Sequence, residues 1–135
     1  MCRVIKFRIW DSEEKKMISP DRIHSIRGEA TRAMKEEAPH LTLMQFIGIK
    51  DKNGIDIYED DIVKKNNVRY GTEYIEFYKV VFDHGGFCIK YLHGNDPKEK
   101  KSYIMGFEYL KNGLLHNTEI VGNIHQNQEL KDGAG

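Results

Sequence analysis

Six oxygen-bearing side chains, Asp51, Asn53, Asp56, Glu59, Asp60 and Asp61, crowd one short segment, a density of hard ligands that suggests calcium. The spacing argues against it. An EF-hand loop opening at Asp51 requires glycine at its sixth position, where Asp56 stands, and a bidentate glutamate at its twelfth, where Ile62 stands. Turn chemistry with a solvated acidic rim is the plainer reading. The 6 histidines never fall at the i, i+4 spacing of a helical metal pair, and only His84 lies within four residues of a cysteine, Cys88. Structural zinc takes four ligands at recurring short spacings, so no metal site is expected. Ser12, Ser19, Ser25 and Ser102 stand in no nucleophile-elbow context. Gly85-Gly86 belongs to a hairpin and opens no helix, so its amides form no phosphate cradle. With so many carboxylates, any chosen acid–base pair is arbitrary. The expectation is a protein that is not an enzyme, with no catalytic residue, cofactor or identifiable small-molecule substrate.

Aromatic residues interleaved with bases form the best candidate binding surface: Lys6, Arg8 and Trp10 on one strand edge, and Lys90, Tyr91, Lys98, Lys100, Lys101 and Tyr103 around one loop. Aromatic faces stack on bases while lysines track phosphates, as on OB-type barrels. The competing reading packs the aromatics into a small core and uses the lysines to keep edge strands from pairing. Asp96 and Glu99 dilute the loop and favour that second reading.

Charge offers no global pull, because Lys plus Arg and Asp plus Glu both total 21 in a chain of 135 residues. Phosphate neutralisation normally leaves a basic surplus, so nucleic acid is the secondary expectation and a protein partner or homo-oligomer the primary one. The length fits one domain, which buries enough surface without disulfides. Cys2 and Cys88 are too few for a disulfide framework, and a reducing, cytoplasmic compartment is expected. Met1 to Trp10 alternates charge with apolar side chains instead of forming a signal core, and no apolar run reaches bilayer length, so no membrane association is expected.

Val4 to Trp10 alternates with the period of a half-buried strand, Ile5, Phe7 and Ile9 against Lys6 and Arg8. Met17 and Ile18 begin a returning strand. Glu29 to Ala38 places Ala30, Ala33, Met34 and Ala38 at helical spacing and is stopped by Pro39, which predicts one short helix. Leu43 to Lys50 and Ile55 to Val63 flank Asn53-Gly54, a pair expected to supply the positive φ angles of a tight hairpin. Asn66, Asn67 and Gly71 mark a loop. Tyr74 to Phe82 and Phe87 to Leu92 form a second hairpin around Asp83-His84-Gly85-Gly86, Ser102 to Leu110 alternates again, and Glu119 to Ile124 supplies a last strand. Gln126 to Gly135 reads as a fraying tail.

With those residues in place, the chain resembles the YopX family of small phage and prophage proteins. Four pieces carry the likeness: Ile5-Lys6-Phe7-Arg8 with Trp10-Asp11; Leu43 to Phe46 running into Gly48, Asp51, Asn53 and Gly54; Ile57-Tyr58-Glu59 with Asp61-Ile62-Val63; and Ile120-Val121-Gly122-Asn123-Ile124 with Glu129-Leu130. Three positions depart from the usual pattern: Asp60 where glycine is frequent, Ile47 for threonine and Gln128 for proline. Asp60 is therefore expected to tolerate a left-handed or bridging backbone. The resemblance implies a mainly β fold of phage origin, with a small, SH3-like, partly open β-barrel, and no established activity. The resulting expectation is one domain over residues 1–130. Residues 1–42 supply an N-terminal strand plus the helix, residues 43–124 the barrel, and residues 131–135 a flexible tail. Function is expected to be macromolecule binding by an accessory protein, to a protein partner or a second copy through a strand edge or loop. Nucleic-acid binding through the basic, aromatic surface is the alternative.

Overall fold

Among the described residues, period-2 alternation in the sequence becomes strand nearly throughout; of the strand expected from Ser102 to Leu110 only Ile104–Gly106 is described. The computed structural model describes residues 4–19, 38–83, 85–95, 104–106 and 118–131. Its elements are β1 (Phe7–Asp11), β2 (Lys16–Ile18), β3 (Leu41–Lys50), β4 (Asp56–Tyr58), β5 (Asp61–Arg69), β6 (Thr72–Asp83), β7 (Gly86–Gly94), β8 (Ile104–Gly106), β9 (Thr118–Asn123) and a short helix α1 (Gln128–Lys131). They form a 4-stranded sheet in the order β2-β1-β3-β4 and a 5-stranded sheet in the order β8-β7-β6-β5-β9. All the pairings are antiparallel. The helix predicted over Glu29 to Ala38 lies outside the described residues except for Ala38, which is buried.

The described residues form two core clusters. Ile9 stands opposite Ile18 on one side and Leu43 on the other, and packs with Ala38 and Leu41. The larger cluster unites the two sheets, Ile47 and Ile57 from the first with Val63, Tyr78, Val80, Ile89 and Tyr91 from the second. Each fully buried Ile or Val removes a side chain from water at a gain of about 1.5–3 kcal/mol, so Ile47 and Ile57 are the apolar bond between the sheets.

The reversal at Asn53-Gly54 exists but is wider than the sequence suggests. The β3–β4 ladder is anchored by Phe46 opposite Tyr58 and Lys50 opposite Asp56, which leaves Asp51 to Ile55 as the connection. Gly54 alone takes positive φ, at 80°, while Asp51 holds the turn by accepting from the amides of Asn53 and Ile55 at 2.9 and 3.0 Å. A two-residue turn of the primed kind occurs instead between Arg69 and Thr72, which pair directly. There Tyr70 and Gly71 adopt φ of 54° and 79°. The loop expected around Asn66 and Asn67 is accordingly strand: both belong to β5, opposite Ile75 and Tyr74. The second predicted hairpin forms with Asp83 opposite Gly86, and Asp60 adopts the left-handed φ of 69° expected of it. The segment read as a tail turns at Ile124 to Gln126 and enters α1, because Asn123 Oδ1 accepts from the His125 and Gln126 amides at 3.0 and 2.9 Å.

Candidate functional site

The acidic segment does structural work at the place where the two sheets meet. Asp51 is 6% exposed, and besides the two turn amides it accepts from Ile120 N of β9 at 3.0 Å. Burial acts to raise its pKa, but the amides of Ile120, Ile55 and Asn53, with Lys52 adding its charge, outweigh burial and hold the carboxyl below its ordinary value. Lys52 N donates to Thr118 O at 3.0 Å, so this turn covers the outer edge of β9. At the other end Asp60 N donates to Val80 O at 2.9 Å and Ile124 N donates to Asp60 O at 3.0 Å. Asp60 Oδ2 lies 2.9 Å from His125 Nε2, and the His125 ring stacks on Trp10 with centroids 5.7 Å apart.

Arg8 completes this junction. Its Nη2 donates to Asp61 Oδ1 at 2.8 Å and to Glu59 O at 3.1 Å, and its guanidinium lies 4.7 Å from the centre of the Tyr58 ring. Asp61 is 2% exposed, and its other oxygen accepts from Tyr58 N at 2.8 Å. Burial pushes the Asp61 carboxyl upward, against the charge of Arg8 and the Tyr58 amide. Burial likewise raises Glu59, with Asp60 adding repulsion, while the Gln45 amide opposes it by donating to Glu59 Oε1 at 2.9 Å. Among the described residues no three His, Cys, Asp or Glu side chains converge to hold a metal. The carboxylates are held by amides, Arg8, lysines and His125 instead.

The candidate residues divide sharply by location. Arg8 is committed to Asp61, Trp10 is 8% exposed under His125, and Tyr91 is 4% exposed with its ring edge-on to Tyr78 at 5.8 Å. None of these presents a stacking face to a ligand. Lys90 is exposed on β7, in the other sheet from Arg8 and Trp10, and Lys98, Lys100, Lys101 and Tyr103 lie outside the described residues. Gly48 takes φ 91° at an irregularity of the β3–β4 ladder. Gly122 abuts Asn127, where an added methyl would come 2.7 Å from Cγ. With Asn53 and Gly54 in the turn, Tyr58, Glu59 and Asp61 at the junction and Asn123 capping the last turn, the motif residues are accounted for by the fold.

Among the described residues, two neighbouring hollows lie beside Gly48. An open trough of about 920 Å³ is floored by Val4, Phe46 and Ile49 and rimmed by Lys6, Lys50, Lys52 and Asp56. A second hollow of about 380 Å³ shares Val4, Phe46 and Gly48 and extends the apolar floor to Phe82 and Phe87. Val4 and Phe82 are 59% and 57% exposed. Lys6 Nζ donates to Asp56 Oδ2 and sits 4.7 Å from the centre of the Phe46 ring, while Lys50 Nζ reaches the other Asp56 oxygen at 2.9 Å. Burial acts against the charge of Asp56, yet the two lysines hold its pKa below the ordinary value. A carboxylate pinned between two ammonium groups is a poor base. Of the candidate residues that are described, Lys6, Gly48, Asp51, Gly54 and Asp56 line it. Phe82 and Val4 went unsignalled, because period 2 assigns them a face without saying whether that face is covered.

Comparison with known proteins fits the motif placement. The pattern described as "YopX protein" matches residues 6–131. The chain belongs to the YopX family. Protein EF1440 from Enterococcus faecalis, known from its crystal structure, is similar to it over 96% of this chain and 99% of that one, at 19% identity and a TM-score of 0.58. That likeness concerns the fold. No curated protein matches the chain. Among the described residues no helix is long and apolar enough to cross a membrane.

Proposed function

We propose that this YopX-family chain is a non-enzymatic phage or prophage accessory protein that works in the host cytoplasm by docking a protein partner in the trough beside Gly48. The observation that carries this reading is the trough's composition: an apolar floor reaching from Ile49 through Phe46 and Val4 to the exposed Phe82, with a rim of both charge signs. Contiguous exposed apolar surface rimmed by polar groups marks protein contact. A nucleic-acid surface would instead collect cations and free aromatic faces, and here Trp10 and Tyr91 are buried. We read the 5-stranded sheet, packed on Ile47 and Ile57, as an SH3-like, partly open barrel, a class whose members dock extended peptides in aromatic-lined surface grooves.

The test is affinity capture from lysogenic cells with the wild-type chain and with Phe82→Asp, followed by binding of the purified captured protein to both. Loss of binding in F82D, with the melting curve preserved, supports the trough. Tight, salt-dependent binding of single-stranded oligonucleotides that F82D leaves unchanged would replace this reading with the nucleic-acid one.

A further inference from the structure

Asn53-Gly54 sets a carboxamide beside a backbone amide that can attack it. Among the described asparagines Asn53 alone is followed by glycine, and both residues are exposed. A side chain on the following residue would crowd the approach of its nitrogen to the asparagine. Gly54 has none, and a methyl added there would meet nothing within 4 Å. The Asn53 backbone N–H donates to Asp51 Oδ1 at 2.9 Å, but among the described residues nothing bonds to the Asn53 carboxamide. Asparagine is one of the thermolabile residues that heat-adapted proteins use sparingly. One restraint acts on the pair: Gly54 N donates to Asp51 O at 3.0 Å, so the attacking nitrogen is engaged while the turn is closed.

We propose that Asn53 is a self-modification site, deamidating by ring closure onto Gly54 N when the Asp51 turn opens. Water takes the proton of Gly54 N as that nitrogen bonds to Asn53 Cγ. The Cγ–Nδ2 bond then breaks, Nδ2 takes up a proton and leaves as ammonia, and a five-membered cyclic imide remains. A second water opens the imide at one of its carbonyls, with no oxidation or reduction. Opening at Cγ gives aspartate with the backbone intact. Opening at the Asn53 main-chain carbonyl gives isoaspartate, whose backbone runs through the former side chain and is one methylene longer. The consequence falls on β9. Asp51 joins the amides of Asn53 and Ile55 to that of Ile120, and Lys52 N donates to Thr118 O, all within one short connection. An extra methylene inside it breaks this set of bonds, so the isoaspartyl chain loses the cover over β9 that the aspartyl chain keeps. The inference does not depend on the docking reading.

Ageing the full chain in ammonia-free, mildly alkaline buffer, with peptide mapping by mass spectrometry, tests it. Asn53 is expected to gain the mass of an amide-to-acid conversion ahead of Asn66 and Asn123, and enzymatic isoaspartyl methylation should mark the product. Asp51→Asn loosens the turn and should speed conversion by about tenfold, the factor set by losing one hydrogen bond. Should D51N not fold, the wild type in guanidinium chloride, where the turn is fully open, should convert at least about tenfold faster than the native chain. Gly54→Ala and Asn53→Gln should suppress the reaction. The aged chain should exchange its Ile120 amide faster, whereas Asn53→Asp should exchange it like wild type. An Asn53 that stays intact in the folded chain, a rate unchanged by opening the turn, or an isoaspartyl chain with wild-type exchange at Ile120 would each overturn the proposal.

Discussion

Removing the Asp51 carboxylate should unfasten the two sheets. Asp51→Ala deletes the acceptor for three backbone amides, those of Asn53, Ile55 and Ile120, at 2.9, 3.0 and 3.0 Å. These bonds are not equal in consequence. Asn53 and Ile55 lie in an exposed turn, where water replaces the lost acceptor, so each costs a few tenths of the usual ~1.5–3 kcal/mol of a bond to a charged group. Ile120 N belongs to a partly buried strand and packs against the larger core cluster, so its amide bears most of the penalty, about 1–3 kcal/mol. The expected loss is therefore about 2–4 kcal/mol, a large share of the 5–15 kcal/mol typical of a domain. Asp51→Asn should fall between the two, since one amide oxygen cannot serve both Ile120 and the turn. Urea unfolding gives the free energy, and hydrogen exchange at the Ile120 amide gives the location. Acid offers a second reading of the same bond: because the folded pKa lies below the ordinary 3.8, this stability is present above that value and is lost as pH falls through the lowered one. A D51A chain within 1 kcal/mol of wild type, or an Ile120 amide that exchanges as slowly as before, would refute the reasoning.

Three further outcomes follow from the junction. Arg8→Met leaves the 2%-exposed Asp61 without its cation and should cost about 3–5 kcal/mol in denaturant unfolding, with R8M/D61L regaining part of that loss. Glu59→Gln keeps an oxygen for Gln45 N while removing a charge whose pKa is raised above 4.5; it should stabilise the chain at neutral pH, and the gain should shrink as pH falls through the raised value, where Glu59 takes up its proton. Gly122→Ala displaces the Asn127 side chain, whose Oδ1 accepts from Asn123 N at 3.2 Å, and should cost about 1 kcal/mol by calorimetry, with no further loss when Asn127→Ala is added.

The strands were legible because alternation is local. Phe7–Asp11 and Thr72–Asp83 declare themselves within a single window, and Asp60 announced its left-handed backbone by standing where the family favours glycine. Legibility ended where the deciding partner is far away. Nothing near Asp51 says that one of its three amides belongs to Ile120, and nothing near Trp10 says that His125 will lie over it. The turn at Tyr70-Gly71 stayed hidden for a different reason: an aromatic residue in the left-handed region carries no turn signature, whereas Asn53-Gly54 carries a strong one and uses only half of it. For Trp10 and Tyr91 of the basic, aromatic set the limit was period 2 itself. Alternation separates the faces of a strand but leaves open which face the rest of the chain will cover, and for Trp10 and Tyr91 the answer was the core.

The turn that closes over β9 also dictates when this fold can be completed. Its amide from Lys52 and its carboxylate from Asp51 both wait for residues 118 and 120. A chain emerging from the ribosome thus makes its local hairpins early, yet leaves the β9 side of β5 unpaired with β9 until residues 118–123 have been synthesised. Nascent chains stalled before Thr118 should be the sticky, chaperone-dependent species, and the finishing step of folding should be a late docking of β9 instead of a gradual collapse.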